Sequence, residues 1–173
     1  MVVMGRAKGF SLIELLIVVA IILVIAAIAI PNVLHSRMAA NESSAAASLR
    51  TIASAEITYF NAYPTIGYAA TLPDLGGPAP CTPGPGSACL LDSSLSSAVP
   101  GSTGKSGYQF QATGIAGGTL NANYVAGATP VILGSSGNRD FCSSSEQILR
   151  AQNSGGGPPV STLVACAAYP IAP

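Results

Sequence analysis

The chain contains no tryptophan and a single histidine, His35. Charged residues are 8% of its 173 positions, against roughly a quarter in ordinary globular domains. These shortages narrow the chemistry. With His35 alone, no Ser-His-Asp set forms outside the N-terminal half of the chain, and His35 itself has no metal partner in reach, so it reads as a surface or interfacial residue. No basic stripe is present, which leaves nucleic-acid binding by phosphate neutralisation little to work with. No carboxylate pair sits in a recognisable catalytic motif. Lys105-Ser106 after Gly104 invites comparison with a phosphate loop, but the glycine required five residues before Gly104 is absent and no strand precedes it. Neither an enzyme nor a bound cofactor or metal is expected.

The apolar residues, by contrast, are concentrated near the N-terminus. From Leu15 to Ile30, sixteen consecutive residues are Leu, Ile, Val or Ala. Glu14 stands immediately before them, and Arg6 and Lys8 lie in a short basic segment that ends at Gly9. Positive residues ahead of an apolar run stay on the cytoplasmic side of a membrane. A carboxylate in a membrane-spanning helix costs roughly 2.5–3.5 kcal/mol at the bilayer centre, and an anchor alone has no use for it.

Three readings fit this segment. A secretory signal would have an apolar core of about 7–15 residues and then an A-x-A cleavage site. Ala27-Ile28-Ala29 matches that site, but Glu14 interrupts the start of the core and Pro31 follows the cut closely. In the second reading the segment is a plain anchor on a periplasmic binding module. Phe10 to Pro31 is 22 residues. At 1.5 Å per residue that is roughly 33 Å of helix, enough to cross a ~30 Å hydrocarbon core. In the third reading the chain is cut at the glycine. Gly9-Phe10-Ser11-Leu12-Ile13-Glu14, with its basic leader, unbroken apolar run and Pro31, resembles the prepilin cleavage motif of type IV pilins and type II secretion pseudopilins.

That resemblance is strong over about the first 35 residues and implies several things. A prepilin peptidase/methyltransferase cleaves after Gly9 on the cytoplasmic face and N-methylates Phe10. Removal of Arg6 and Lys8 leaves five basic against seven acidic side chains. Glu14 acts in assembly, pairing with the Phe10 ammonium of a neighbouring subunit, since a paired charge in apolar surroundings costs far less than an unpaired one. The implied partners are copies of the same chain, a platform membrane protein and an assembly ATPase. The precursor is a single-pass inner-membrane protein, and the product is an extracellular filament or, alternatively, a periplasmic pseudopilus. Major pseudopilins often bind calcium through a C-terminal acidic loop. After residue 100 this chain offers only Asp140 and Glu146, too few for a carboxylate-rich site, which favours a pilin.

The expected fold class is α+β, with one long N-terminal helix and a small antiparallel sheet. The expected division is a leader over 1–9, a transmembrane or filament-core helix over 10–31, an amphipathic half over 32–63 and a globular head over 64–173. Pro31 should kink the helix. Beyond it, Leu34, Met38, Ala45, Leu49, Ile52, Tyr59 and Tyr63 recur at helical spacing, and the other side is filled by polar residues including Arg37, Asn41, Ser48 and Arg50. Asn41-Glu-Ser43 fits a glycosylation sequon but carries no weight on a helix. Pro64 ends the helix, and residues 71–89 are so rich in Gly and Pro that they read as an irregular surface loop.

All four cysteines, Cys81, Cys89, Cys142 and Cys166, lie in the C-terminal part. An even number there suggests two disulfides in an oxidising compartment. A bridge from Cys81 to Cys89 would clip the loop, and the resemblance to pilins, many of which close a C-terminal disulfide loop, suggests Cys142 to Cys166. A short helical turn is expected after Cys89. Alternation over 108–113 and 120–126 predicts a hairpin. An edge strand over 129–133, a third strand over 138–142 and a closing strand or turn over 146–150 complete the expectation.

Overall fold

A computed structural model describes residues 9–172. Helix α1 runs Leu12–Ala62 and passes through Pro31 without a break in its helical assignment. It ends just before Tyr63 and Pro64, as the missing N–H of proline requires. Backbone contacts divide the chain into two units after Ser36.

The first unit is the apolar part of α1. Ser11 precedes the helix, and its carbonyl accepts the Leu15 N–H at 3.2 Å. Glu14 lies in the first turn, where the exposed N–H groups of a helix favour negative charge.

The second unit, the head, begins at Arg37. Four antiparallel strands form one sheet in the order β1-β2-β3-β4: β1 Tyr108–Ala116, β2 Asn121–Pro130, β3 Arg139–Ser144 and β4 Arg150–Asn153. One face of α1 packs on this sheet. Ala45, Leu49, Ile52 and Tyr59 of the helix meet Tyr108, Phe110, Ala112, Tyr124, Ala126, Ala128 and Phe141 in the main core. The alternate residues of the central strands point the other way. Val125, Cys142 and Cys166 form a second small core, against which Val160 and Leu163 pack. Helix α3, Leu163–Ala167, thus covers the back of the sheet, so β2 is buried on both faces. Gly127 makes this cover possible, because a Cβ there would lie 2.5 Å from the Val160 carbonyl oxygen.

The head departs from expectation in several places. Residues 71–89 are not wholly irregular or superficial. Leu72–Leu75 forms a 3-10 turn, with Thr71 and Asp74 in a reciprocal capping box, and Leu72 and Leu75 are fully buried in the main core. The short turn after Cys89 is helix α2, Ser93–Ser96, capped by Asp92 accepting from the Leu95 N–H at 3.0 Å. No separate edge strand covers 129–133. Thr129 and Pro130 are the last two residues of β2, and residues 131–133 turn away. Pro130 sits on the final rung of an interior strand, where its missing donor ends the ladder. Of the closing strand or turn expected over 146–150, the turn forms, with Gln147 at a positive φ of 58°, and the closing strand starts only at Arg150. Helix α3 had no counterpart in the expectation.

Candidate assembly surface

Among the described residues, every large apolar side chain of the first unit faces outward. Phe10 is 79% exposed, and the series continues through Leu15, Ile21 and Ile28 to Leu34 at 53%. Burying one such side chain is worth roughly 1.5–3 kcal/mol. Twelve of the sixteen residues from Leu15 to Ile30 are Leu, Ile or Val. Together they represent roughly 20–35 kcal/mol, more than the roughly 5–15 kcal/mol that holds a typical domain folded. A surface of this kind is stable only in lipid or against other chains. Leu16, Ile17, Ala20, Ile21, Val24 and Ile25 line a shallow groove along it. Ala20 supplies the low point, the type of position at which two helices approach closely.

Glu14 is exposed at the start of this surface, and so is Gly9, around whose α-carbon the space is open. The rest of the expected leader, with Arg6 and Lys8, lies outside the described residues. His35 and Arg50 are exposed on α1. In the head, Cys81 is bonded to Cys89 and Cys142 to Cys166, with Cα separations of 6.0 and 5.8 Å. Asp140 and Glu146 do not converge on one point. Asp140 is buried and accepts from the Thr129 hydroxyl at 2.7 Å, while Glu146 pairs with Arg150 at 3.6 Å.

Two carboxylates on α1 escaped the reading of the sequence. Glu42 is buried at the edge of the core. It accepts the Asn138 N–H at 2.9 Å and the Arg139 Nε–H at 2.7 Å, and the Arg139 guanidinium also lies over the Phe141 ring. Glu56 is fully buried. One of its oxygens accepts the Ala69 N–H at 2.9 Å. Its other oxygen, and the hydroxyl of buried Tyr124, have no hydrogen-bond partner among the described residues. Burial pushes the Glu56 carboxyl up to about 7, opposed by the Ala69 hydrogen bond and reinforced by Asp74. Burial likewise raises the Tyr124 hydroxyl, with Glu56 adding to the effect. The signal was present in the spacing. Met38, Glu42, Ala45, Leu49, Ile52, Glu56, Tyr59 and Tyr63 form one unbroken stripe of alternating four- and three-residue steps, and the two glutamates fill its only gaps. Ser48, expected on the polar side, is also buried, whereas Leu34, expected in the stripe, is exposed.

An exposed apolar helix preceded by a Gly-Phe junction, with a carboxylate in its first turn, points to the class of prokaryotic proteins that carry an N-terminal methylation motif. Residues 4–30 match the family described as "Prokaryotic N-terminal methylation motif". The type IV wide pilus major component PilA4 of Thermus thermophilus is 56% identical over 46 residues, 27% of this chain and 35% of that protein. The type IV major pilin protein PilA of Myxococcus xanthus is 45% identical over 56 residues, 32% of this chain and 26% of that protein. The chain thus matches only about a quarter to a third of the length of these relatives. No solved structure matches it. Over its N-terminal region the chain is thus similar to type IV pilins, and its long helix with an antiparallel sheet is a pilin-like architecture.

Proposed function

We propose that the protein is the structural subunit of a type IV pilus. The precursor is held in the inner membrane by residues 10–31. A prepilin peptidase/methyltransferase cuts after Gly9 and methylates the freed Phe10 amine. The mature chain then leaves the bilayer by packing its apolar helix against the helices of other copies, which replace lipid with protein around the same side chains. Glu14 of one subunit pairs with the Phe10 ammonium of its neighbour and sets the axial register. A platform membrane protein and an assembly ATPase drive the transfer, and the head forms the outer wall of an extracellular filament.

One observation carries this reading: the Gly9-to-Glu14 motif opens a helix whose apolar side chains are exposed all the way to Leu34. Mass spectrometry of the N-terminal peptide from sheared surface material tests it. A peptide beginning at N-methylated Phe10 is expected. A chain that begins at Met1 would make the segment a plain anchor, and one that begins at Ile30 would make it a secretory signal.

A further inference from the structure

The two disulfides of the head stand in opposite surroundings. Cys142 and Cys166 are 0% and 2% exposed, enclosed between the back of the sheet and α3. Cys81 is exposed and Cys89 half-buried. A disulfide is opened by a thiolate that reaches one of its sulfurs, so access separates exchangeable bonds from structural ones. The chain on the two sides of the accessible bond is also held differently. Residues 84–89 are tied to the head. The Tyr59 hydroxyl donates to the Pro85 carbonyl at 2.7 Å, the Ala88 N–H to the Asp74 carbonyl at 2.7 Å and the Cys89 N–H to the Gly76 carbonyl at 3.0 Å. Residues 77–83 have no such ties. Among the described residues, none of their main-chain groups is hydrogen-bonded. Pro78, Pro80 and Pro83 have no N–H to offer, and residues 78–83 are exposed throughout. Apart from an approach of the Cys81 sulfur to the Ser87 hydroxyl at 3.6 Å, the bond to Cys89 is what fastens the middle of this segment to the head.

We propose that Cys81–Cys89 is a site of thiol–disulfide exchange with a dithiol, and that its opening frees residues 77–83 while Cys142–Cys166 stays closed. One thiolate of the dithiol attacks the Cys81 sulfur. The bond between the two cysteines breaks, and its electron pair leaves with Cys89 as a thiolate. The second thiolate of the dithiol then attacks the dithiol's own sulfur in the mixed disulfide and releases Cys81 as a thiolate. The dithiol is oxidised to a disulfide by two electrons, and the cysteine pair is reduced. The two protons shed by the dithiol are balanced by those the cysteine thiolates take up. Cys89 keeps its place through the hydrogen bond from its N–H to Gly76, whereas Cys81 is carried off on the freed segment. Gly77 and Pro78 line a groove that faces Ser93, Ser96 and Ser97 at α2, so exchange opens that groove on one side. The reverse reaction with an oxidised dithiol closes it.

The test uses the full-length, detergent-solubilised protein without denaturant. It is treated with graded dithiothreitol, quenched with N-ethylmaleimide and mapped by peptide mass spectrometry. Cys81 and Cys89 should be labelled at reductant concentrations lower by roughly tenfold or more than Cys142 and Cys166. Labelling of both pairs over the same range, or of Cys142 and Cys166 first, overturns the assignment. Because the chain has no tryptophan, a single introduced one reports the release. The emission anisotropy of the Thr82→Trp protein should fall at the lower reductant level, and that of the Val164→Trp protein, whose reporter is on α3, should not. The Thr82→Trp protein that also carries Cys81→Ser and Cys89→Ser should show the lowered value without reductant. Unchanged anisotropy at 82 with Cys81 and Cys89 labelled overturns the release, since contacts other than the bond then hold the segment. A fall at 164 in step with that at 82 also overturns it, since the head as a whole has then loosened.

Discussion

Glu56 occupies a core position with an ionisable group, and its effect on stability follows from the direction of its shift. The unfolded chain releases this proton near the ordinary value of 4.5, while the folded chain keeps it until about 7. The folded state therefore binds the proton more tightly, and stability falls as pH rises from about 4.5 to about 7, staying low above that. Glu56→Gln keeps an acceptor for the Ala69 N–H and removes the charge. It should leave stability at pH 4 nearly unchanged and raise it by roughly 3 kcal/mol at pH 8, read by denaturant titration of the detergent-solubilised protein at both pH values. Glu42, by contrast, is paired, accepting from the Arg139 Nε–H at 2.7 Å. Arg139→Ala leaves that carboxylate with one donor fewer and uncovers Phe141, at a cost of roughly 1–3 kcal/mol by the same assay. The role proposed for Glu14 bears on assembly more than on folding. The Glu14→Ala protein is expected to be cleaved and methylated as usual but absent from sheared filaments, and normal filaments from this variant would remove the role given to it. Glu14 was legible in sequence because it breaks an apolar run. Glu42 and Glu56 were not, because a carboxylate on a helix usually marks the solvated face, and only the completed stripe reveals that these two lie on the buried one.

The elements differ in how plainly their residues announce them. Helix α1 is written twice over, first as an uninterrupted apolar run and then as a four-three stripe, and Pro64 marks its end. The hairpin of β1 and β2 is written in the alternation of Tyr108, Phe110 and Ala112. The weaker elements depend on neighbours distant in sequence. The 3-10 turn at Leu72–Leu75 exists because Leu72 and Leu75 find the main core, and its Gly and Pro surroundings conceal that. Helix α3 is five residues long. It is held where it is by the back of the sheet and by the bond from Cys142 to Cys166. Replacing both cysteines of that bond with serine should lower stability by roughly 3 kcal/mol, the loop-closure value for a separation of this size. The denaturant midpoint with and without reductant measures it, and a midpoint indifferent to reductant would mean that α3 docks without help.

Among the described residues the buried side chains begin at Met38, and the stretch from Phe10 to Leu34 is a largely apolar exposed surface. A variant that starts at Arg37 should accordingly keep the circular-dichroism signature of the head and remain monomeric without detergent, whereas the full chain should need detergent or lipid. Failure of the shortened chain to fold would mean that the apolar segment contributes to the head after all. The broad architecture could be read from sequence for the same reason: one end of the chain is too apolar for water, and the other is broken by Gly and Pro into short segments. The exact strand limits could not, because they depend on local backbone such as the positive φ of Gln147.

The two cysteine pairs also govern how the head responds to force. Cys142 and Cys166 are 24 positions apart. At roughly 3.3–3.6 Å per extended residue, the chain between them withholds about 80 Å of contour length from a subunit pulled by its ends. The Cys81–Cys89 clip, with a separation of 8, withholds about 25–30 Å more. A head that lost its sheet under load would lengthen by about a hundred ångströms less than its reduced counterpart. In the proposed filament, oxidation would limit how far one yielding subunit can stretch before its neighbours take up the tension.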